Sequence, residues 1–126
     1  MGHAIRIQAG EVSLAAELND SVTATAVLNA LPIKAAGNRW GDEIYFAIPV
    51  REKLSPEARA DVELGDLGYW PPGKAFCIFF GPTPASDGNQ PRAASPVNLI
   101  GRVLDDVAPL KDVPDGANVR IVKAPD

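Results

Sequence analysis

The chain has 126 residues, 46% of them hydrophobic and 22% charged, ordinary values for one soluble globular domain long enough to bury a core. Its net charge is −4, its pI is near 4.9, and its twelve Lys and Arg are scattered from Arg6 to Lys123 without a run or stripe, so no nucleic-acid partner is expected. The longest apolar run, Ala75 to Phe80, falls far short of the roughly 18 residues that cross a bilayer, and no basic-then-apolar leader is recognisable; no membrane partner and a cytoplasmic location are the expectations.

Along the chain, Ile5 and Ile7 alternate with Arg6 and Gln8, and Val12, Leu14, Ala16 and Leu18 alternate with mostly polar neighbours beyond Gly10. That pattern predicts a hairpin of two half-buried strands. The period then changes. Asn19, Asp20 and Ser21 supply N-cap candidates, Ala24, Val27, Leu28 and Leu31 follow at helical spacing, and Pro32 stops the run, which predicts the one clear helix. Ile33 to Arg39 reads as an interrupted strand. After the Gly41–Asp42 turn, Ile44, Phe46 and Ile48 occupy one face of a strand and Glu43, Tyr45 and Ala47 the other.

Arg51 to Asp61 is charged and reads as a surface loop, and a strand follows around Leu67 to Trp70. Pro71-Pro72-Gly73 is a break. Ala75 to Phe80 is apolar throughout, as expected of a strand buried on both faces. Gly81 to Pro96 is rich in Pro, Ser, Asp, Gly and Asn and reads as a long ordered loop, a class of segment that tends to be functional or disordered. Val97 to Leu104 is a strand, Val107 to Val113 a short helical turn and Val119 to Lys123 a last strand. Seven or eight short strands, with eleven glycines and twelve prolines punctuating them, point to a closed barrel or sandwich in a single domain over 1–126.

The chain's one cysteine, Cys77, lies inside the run Ala-Phe-Cys-Ile-Phe-Phe and reads as a small buried hydrophobe rather than a thiolate nucleophile. Its one histidine is His3. A single His and a single Cys argue against a metal site and a Ser-His-Asp triad, and no cofactor is expected. Asp42–Glu43 and Asp105–Asp106 are adjacent acids; neighbours on a strand point to opposite faces, so neither pair need converge, and Asp105–Asp106 reads as a solvated turn.

Three long segments carry a family resemblance: Asn38 to Phe46 (NRWGDEIYF), Gly65 to Pro84 (GDLGYWPPGKAFCIFFGPTP) and Ala94 to Val103 (ASPVNLIGRV). They resemble a small prokaryotic family of cyclophilin-like proteins of unassigned function. Val12 to Pro32 resembles the cyclophilin second strand running into the first helix, and Ile100 to Val113 the strand that leads into the last helix. The resemblance implies a closed, mainly β barrel of about eight strands capped by one clear and one short helix. It does not imply an activity. Cyclophilins carry an Arg in a Phe-His-Arg segment, a Gln shortly beyond a Phe, and a His ahead of the Phe-Gly-Lys strand; none stands here, and the histidine position aligns near Val97. A prolyl isomerase needs a fixed cation to polarise an amide whose rotation faces a barrier of roughly 18–20 kcal/mol. Arg39 is the best substitute.

All eight aromatic residues fall between Trp40 and Phe80. Glu43 and Tyr45 share the outward face of their strand, with Arg39 and Trp40 just before, and Tyr69 and Trp70 lead into a rigid Pro-Pro-Gly corner. Ser86, Ser95 and Asn98 add hydrogen-bonding groups from the long loop and the strand after it. A ligand cleft lined by Trp40, Tyr45, Tyr69 and Trp70, oriented by Arg39 and Glu43 and completed by Ser95 and Asn98, is one expectation. Its partner is a small molecule or a proline-containing peptide. The competing reading makes these aromatics ordinary core and Arg39–Glu43 a surface pair worth at most about 1 kcal/mol. Two further expectations are a weak, reshaped prolyl isomerase and a non-catalytic subunit of a larger enzyme, the latter resting on fold analogy. Nothing in the sequence sets an oligomeric state.

Overall fold

The computed structural model describes residues 2–125. Strands β1 (His3–Ala9) and β2 (Val12–Leu18) form the expected hairpin, and their buried residues, Ile5, Ile7, Ala9, Leu14, Ala16 and Leu18, follow the two-residue period. Helix α1 (Val22–Ala30) starts where the sequence changes period. Ser21 Oγ accepts from Ala24 N at 3.2 Å, and Ser21 N donates to Asn19 Oδ1 at 3.0 Å. The helix buries Thr23, Ala24 and Val27 against the sheet.

The remaining strands are β3 (Ile33–Ala36), β4 (Asn38–Arg39), β5 (Glu43–Ala47), β6 (Arg59–Asp61), β7 (Asp66–Trp70), β8 (Ala75–Phe79), β9 (Arg92–Val103) and β10 (Asn118–Lys123), with 3₁₀ turns at Pro71–Gly73 and Ala108–Asp112. The paired strands run antiparallel in the order β3-β10-β1-β2-β9-β7-β8-β5-β4, with β6 paired to β9 off that path. The fold is mainly β with one α-helix, as expected, but the expected closed barrel is not closed by hydrogen bonds: the path ends at β3 and β4. These end strands are consecutive in the chain around Gly37. A Cβ on Gly37 would lie 3.0 Å from side-chain atoms of both Ile44 and Val119, so the two ends meet by packing where a ladder would need two more paired edges.

One face of the sheet encloses the main core. Ile5, Leu18, Val27, Ile33, Ile44, Phe46, Leu67, Tyr69, Phe76, Ile78, Ile100 and Ile121 meet there, and the Phe46 and Phe76 rings stack at 5.4 Å between centroids. The other face is covered locally. The first half of β9, with β6 laid along it, folds over β7 and β8, and between them lies a second core of Val62, Ala75, Cys77, Phe79, Ala93 and Val97. β8 therefore sends Phe76 and Ile78 to one core and Ala75, Cys77 and Phe79 to the other, which is why its run is apolar at every position. At Gly68 the flap presses directly on the sheet: a Cβ there would stand 2.9 Å from Val97 Cγ2.

Two expectations are corrected. The loop read as reaching Pro96 ends at Pro91, because β9 begins at Arg92 and runs twelve residues with Pro96 exposed next to its irregular pairing with β6. The loop read over Arg51 to Asp61 ends in β6. The rest of the long loop is ordered by its own hydroxyls: Thr83 Oγ1 donates to Arg92 O, while Ser86 Oγ accepts from Thr83 N at 2.9 Å and donates to Gln90 O at 2.6 Å.

Candidate functional site

A pocket of about 250 Å³ opens between the outer face of the sheet and the β6–β9 flap. Its lining is Trp40, Glu43, Tyr45, Trp70, Cys77, Ala93, Ala94 and Val97. Four of the eight residues expected at a site, Trp40, Glu43, Tyr45 and Trp70, thus share one cavity.

Register explains how. β5 pairs with β8 so that Glu43 faces Phe79 and Tyr45 faces Cys77; the outward-facing side chains of the two strands then form one wall. β7 pairs with β8 so that Trp70 faces Ala75 and Gly68 faces Cys77, and the missing side chain at 68 lets Val97 of the flap close onto the sheet. Trp40 arrives from the β4–β5 turn, where Gly41 adopts φ +61° and Trp40 N donates to Glu43 O at 3.0 Å. Trp70 is fixed by Nε1 donating to Ser95 Oγ at 2.6 Å, so Ser95 positions a wall of the pocket and does not line it. The rim residues Trp40, Tyr45 and Trp70 are half-buried. The floor residues Glu43, Cys77, Ala93 and Val97 are buried.

The floor is electrostatically unusual. Glu43 is 6% exposed, and burial pushes its carboxyl from the ordinary 4.5 up to about 7, with a hydrogen bond to Cys77 opposing the rise. The Cys77 thiol is pushed well above its ordinary range by burial and by the adjacent Glu43 carboxylate. A thiol in that state is no nucleophile, in agreement with the reading of Cys77 as a buried hydrophobe. None of the eight lining residues is basic, and Glu43 makes no ion pair among the described residues.

The other expected site residues lie elsewhere. The Arg39 guanidinium is consumed by the fold: it donates to the carbonyls of Gly41 (3.0 Å), Lys111 (3.3 Å) and Val113 (2.7 Å), meets Asp42 Oδ1 at 3.2 Å and stands 4.9 Å over the Phe80 ring. It pairs with Asp42, in the turn before β5, rather than with Glu43, whose side chain lines the pocket. Tyr69 is fully buried in the main core, its hydroxyl donating to Val50 O at 2.6 Å and accepting from Glu52 N at 3.3 Å. Asn98 is buried under the loop that follows β5, accepting from Ser55 N at 2.7 Å and donating to Lys53 O at 2.9 Å and Thr23 Oγ1 at 3.0 Å. Ser86 ties its own loop.

Sequence reasoning missed Cys77, Ala93, Ala94 and Val97 as lining. The alternation within Ala75–Phe80 places Cys77 on the Glu43 side once the β5–β8 register is known; Ala93 and Ala94 fall in the segment read as loop, and Val97 begins the strand expected there without a signal for which face it covers. Among the described residues no three His, Cys, Asp or Glu side chains group as metal ligands, and no helix is long and apolar enough to cross a membrane.

A mainly antiparallel sheet enclosing one core, one capping helix after the first hairpin, and a short helical turn before the last strand define a cyclophilin-like protein. The chain belongs to the cyclophilin-like family, whose model matches residues 3–122. Among solved structures it is similar to the solution structure of a hypothetical protein from Archaeoglobus fulgidus, at 44% identity and a TM-score of 0.83, over 98% of this chain and 95% of that one. No curated protein matches.

Proposed function

We propose that this protein is a binding module that takes a small, largely apolar molecule into the outer-face pocket, with aromatic walls holding its body and Glu43 fixing its polar end. The observation that carries the reading is the graded pocket itself: three half-buried aromatic rings around a floor holding one buried carboxyl. At about 250 Å³ it suits a fragment-sized molecule or a single ring, such as a proline side chain, better than an extended peptide. The isomerase reading loses its motive, since Arg39 does not line the pocket, four of its five N–H groups serve Gly41, Lys111, Val113 and Asp42, and no lining residue is basic.

Trp40 and Trp70 are the chain's two tryptophans and both line the pocket, so intrinsic fluorescence and the two indole N–H signals report on it directly. Titration with small aromatic fragments and with Ala-Pro dipeptide should shift both indole signals, and Trp70→Ala should abolish saturable binding. Shifts scattered over the surface, or saturation that survives Trp70→Ala, overturn the reading. Cis/trans exchange of the dipeptide is expected at its uncatalysed rate in the same tube.

A further inference from the structure

We propose that the pocket selects a small organic cation: an ammonium on an apolar body, its charge set against Glu43 and enclosed by the faces of Trp40, Tyr45 and Trp70. The inference rests on the binding reading above and names the ligand's class.

Three observations converge on it. Glu43 is 6% exposed, so its carboxyl has little water to solvate a charge. Its neighbours offer no positive charge. From its own strand comes Tyr45, from β8 the thiol of Cys77, from β7 Trp70, and from the flap Ala93, Ala94 and Val97. The one nearby acid, Asp42, is already engaged by Arg39 at 3.2 Å and Lys111 at 3.9 Å. A buried acid facing an open cavity without a cation is complementary to a ligand that brings one.

The third observation is the wall chemistry. Trp and Tyr faces attract cations through the ring quadrupole, the more strongly as water is excluded. A neutral ligand gains apolar contact from the same rings but leaves the carboxyl unmatched. An anion meets the carboxyl's repulsion as well as the loss of its own hydration. The upward shift of the Glu43 carboxyl agrees, since a bound ammonium would hold it ionised and reverse that shift.

The test is a matched set of one shape and three charges: benzylamine, benzyl alcohol and benzoate, each titrated at pH 8 while the indole signals of Trp40 and Trp70 are followed. Benzylamine should bind about tenfold or more tighter than benzyl alcohol, the scale of one charge-assisted hydrogen bond with cation–π contact, and benzoate weakest. Glu43→Gln should bring the amine and the alcohol to within about twofold of each other, its fold being checked by the amide spectrum. Calorimetry of the wild type at pH 7 in two buffers of different ionisation enthalpy should show about half a proton released per amine bound, because a carboxyl titrating near 7 is half protonated there. That readout does not depend on any variant folding. If amine and alcohol bind equally, or the preference survives Glu43→Gln, the cation inference falls while the binding reading stands. If none of the three moves the indole signals, both fall.

Discussion

Glu43→Gln is expected to stabilise the protein at neutral and alkaline pH and to leave it little changed in acid. In the folded chain the carboxyl titrates near 7, and in the unfolded chain near the ordinary 4.5. Below pH 4.5 both states hold the proton and the site costs nothing. As pH rises, the unfolded state releases its proton first, so the folded state binds more protons and stability falls. The fall continues until the folded carboxyl ionises near 7, then stops. From 4.5 to about 7, at ~1.4 kcal/mol per unit, the site withdraws about 3 kcal/mol. Glutamine has the same shape and no titration. The stability difference between the two proteins should therefore open from near pH 4.5 and reach a plateau above pH 7. Urea unfolding followed by far-UV circular dichroism at half-unit intervals from pH 4.5 to 8.5 measures it, with the wild-type curve subtracted so that other carboxylates cancel. Curves that stay parallel across this range would refute the burial argument, and with it the picture of a carboxyl shut away from water on the pocket floor.

Arg39→Lys should destabilise by about 2–4 kcal/mol, because an ammonium cannot serve the Gly41, Lys111 and Val113 carbonyls from one planar fork; chemical denaturation reads the loss, and fragment affinity per folded molecule should stay unchanged. Tyr69→Phe should cost about 1–3 kcal/mol by leaving the buried Val50 carbonyl without its donor, again with pocket affinity unaltered, whereas a Tyr69 that touched ligand would change both. Asn98→Ala should be costlier, at roughly 3 kcal/mol, since Ser55 N–H, Lys53 O and Thr23 Oγ1 lose their partner together; wild-type-like melting would show that water fills the gap.

Where hydrophobic period and punctuation agree, the sequence is enough to read the element. β1, β2, α1 and β5 fall where Ile5–Ile7, Val12–Leu18, Ser21–Leu31 and Ile44–Ile48 place them, because in each the apolar residues of the main core recur at the period of the element. β6 escapes such reading: Arg59-Ala60-Asp61 has no periodicity, and only pairing with β9 makes it a strand. The front of β9 escapes for a related reason. Its Pro96 and Ser95 look like loop, yet a flap strand over a sheet tolerates proline beside a bulge. The site was half legible. Glu43 and Tyr45 lie on the outward face by the two-residue rule, and the same rule applied to Tyr69 and Trp70 allows only one of them at the rim. Which one depends on which face of β7 the flap covers, a long-range fact that no local pattern contains. Arg39 lies outside the pocket lining: a guanidinium beside a tryptophan looks like a ligand clamp in sequence, while two of its partners, the Lys111 and Val113 carbonyls, lie more than seventy residues away.

Three of these features belong together. The sheet's outer face needs no pocket for stability: Phe79, Val62 and Val97 already make an apolar seal there, and a hydrophobic residue at position 43 would extend it. Instead the position carries an acid whose burial withdraws about 3 kcal/mol at neutral pH, a large share of the roughly 5–15 kcal/mol that holds a domain folded. The Ser95 hydroxyl fixes the Trp70 indole in the pocket wall, and Glu43 lines the same cavity. A buried acid that costs stability and lines a cavity is the arrangement the binding proposal expects. The stability and binding experiments on Glu43→Gln therefore probe one cause: the substitution should gain stability and lose discrimination between amine and alcohol in the same protein, and gaining one without losing the other would separate them.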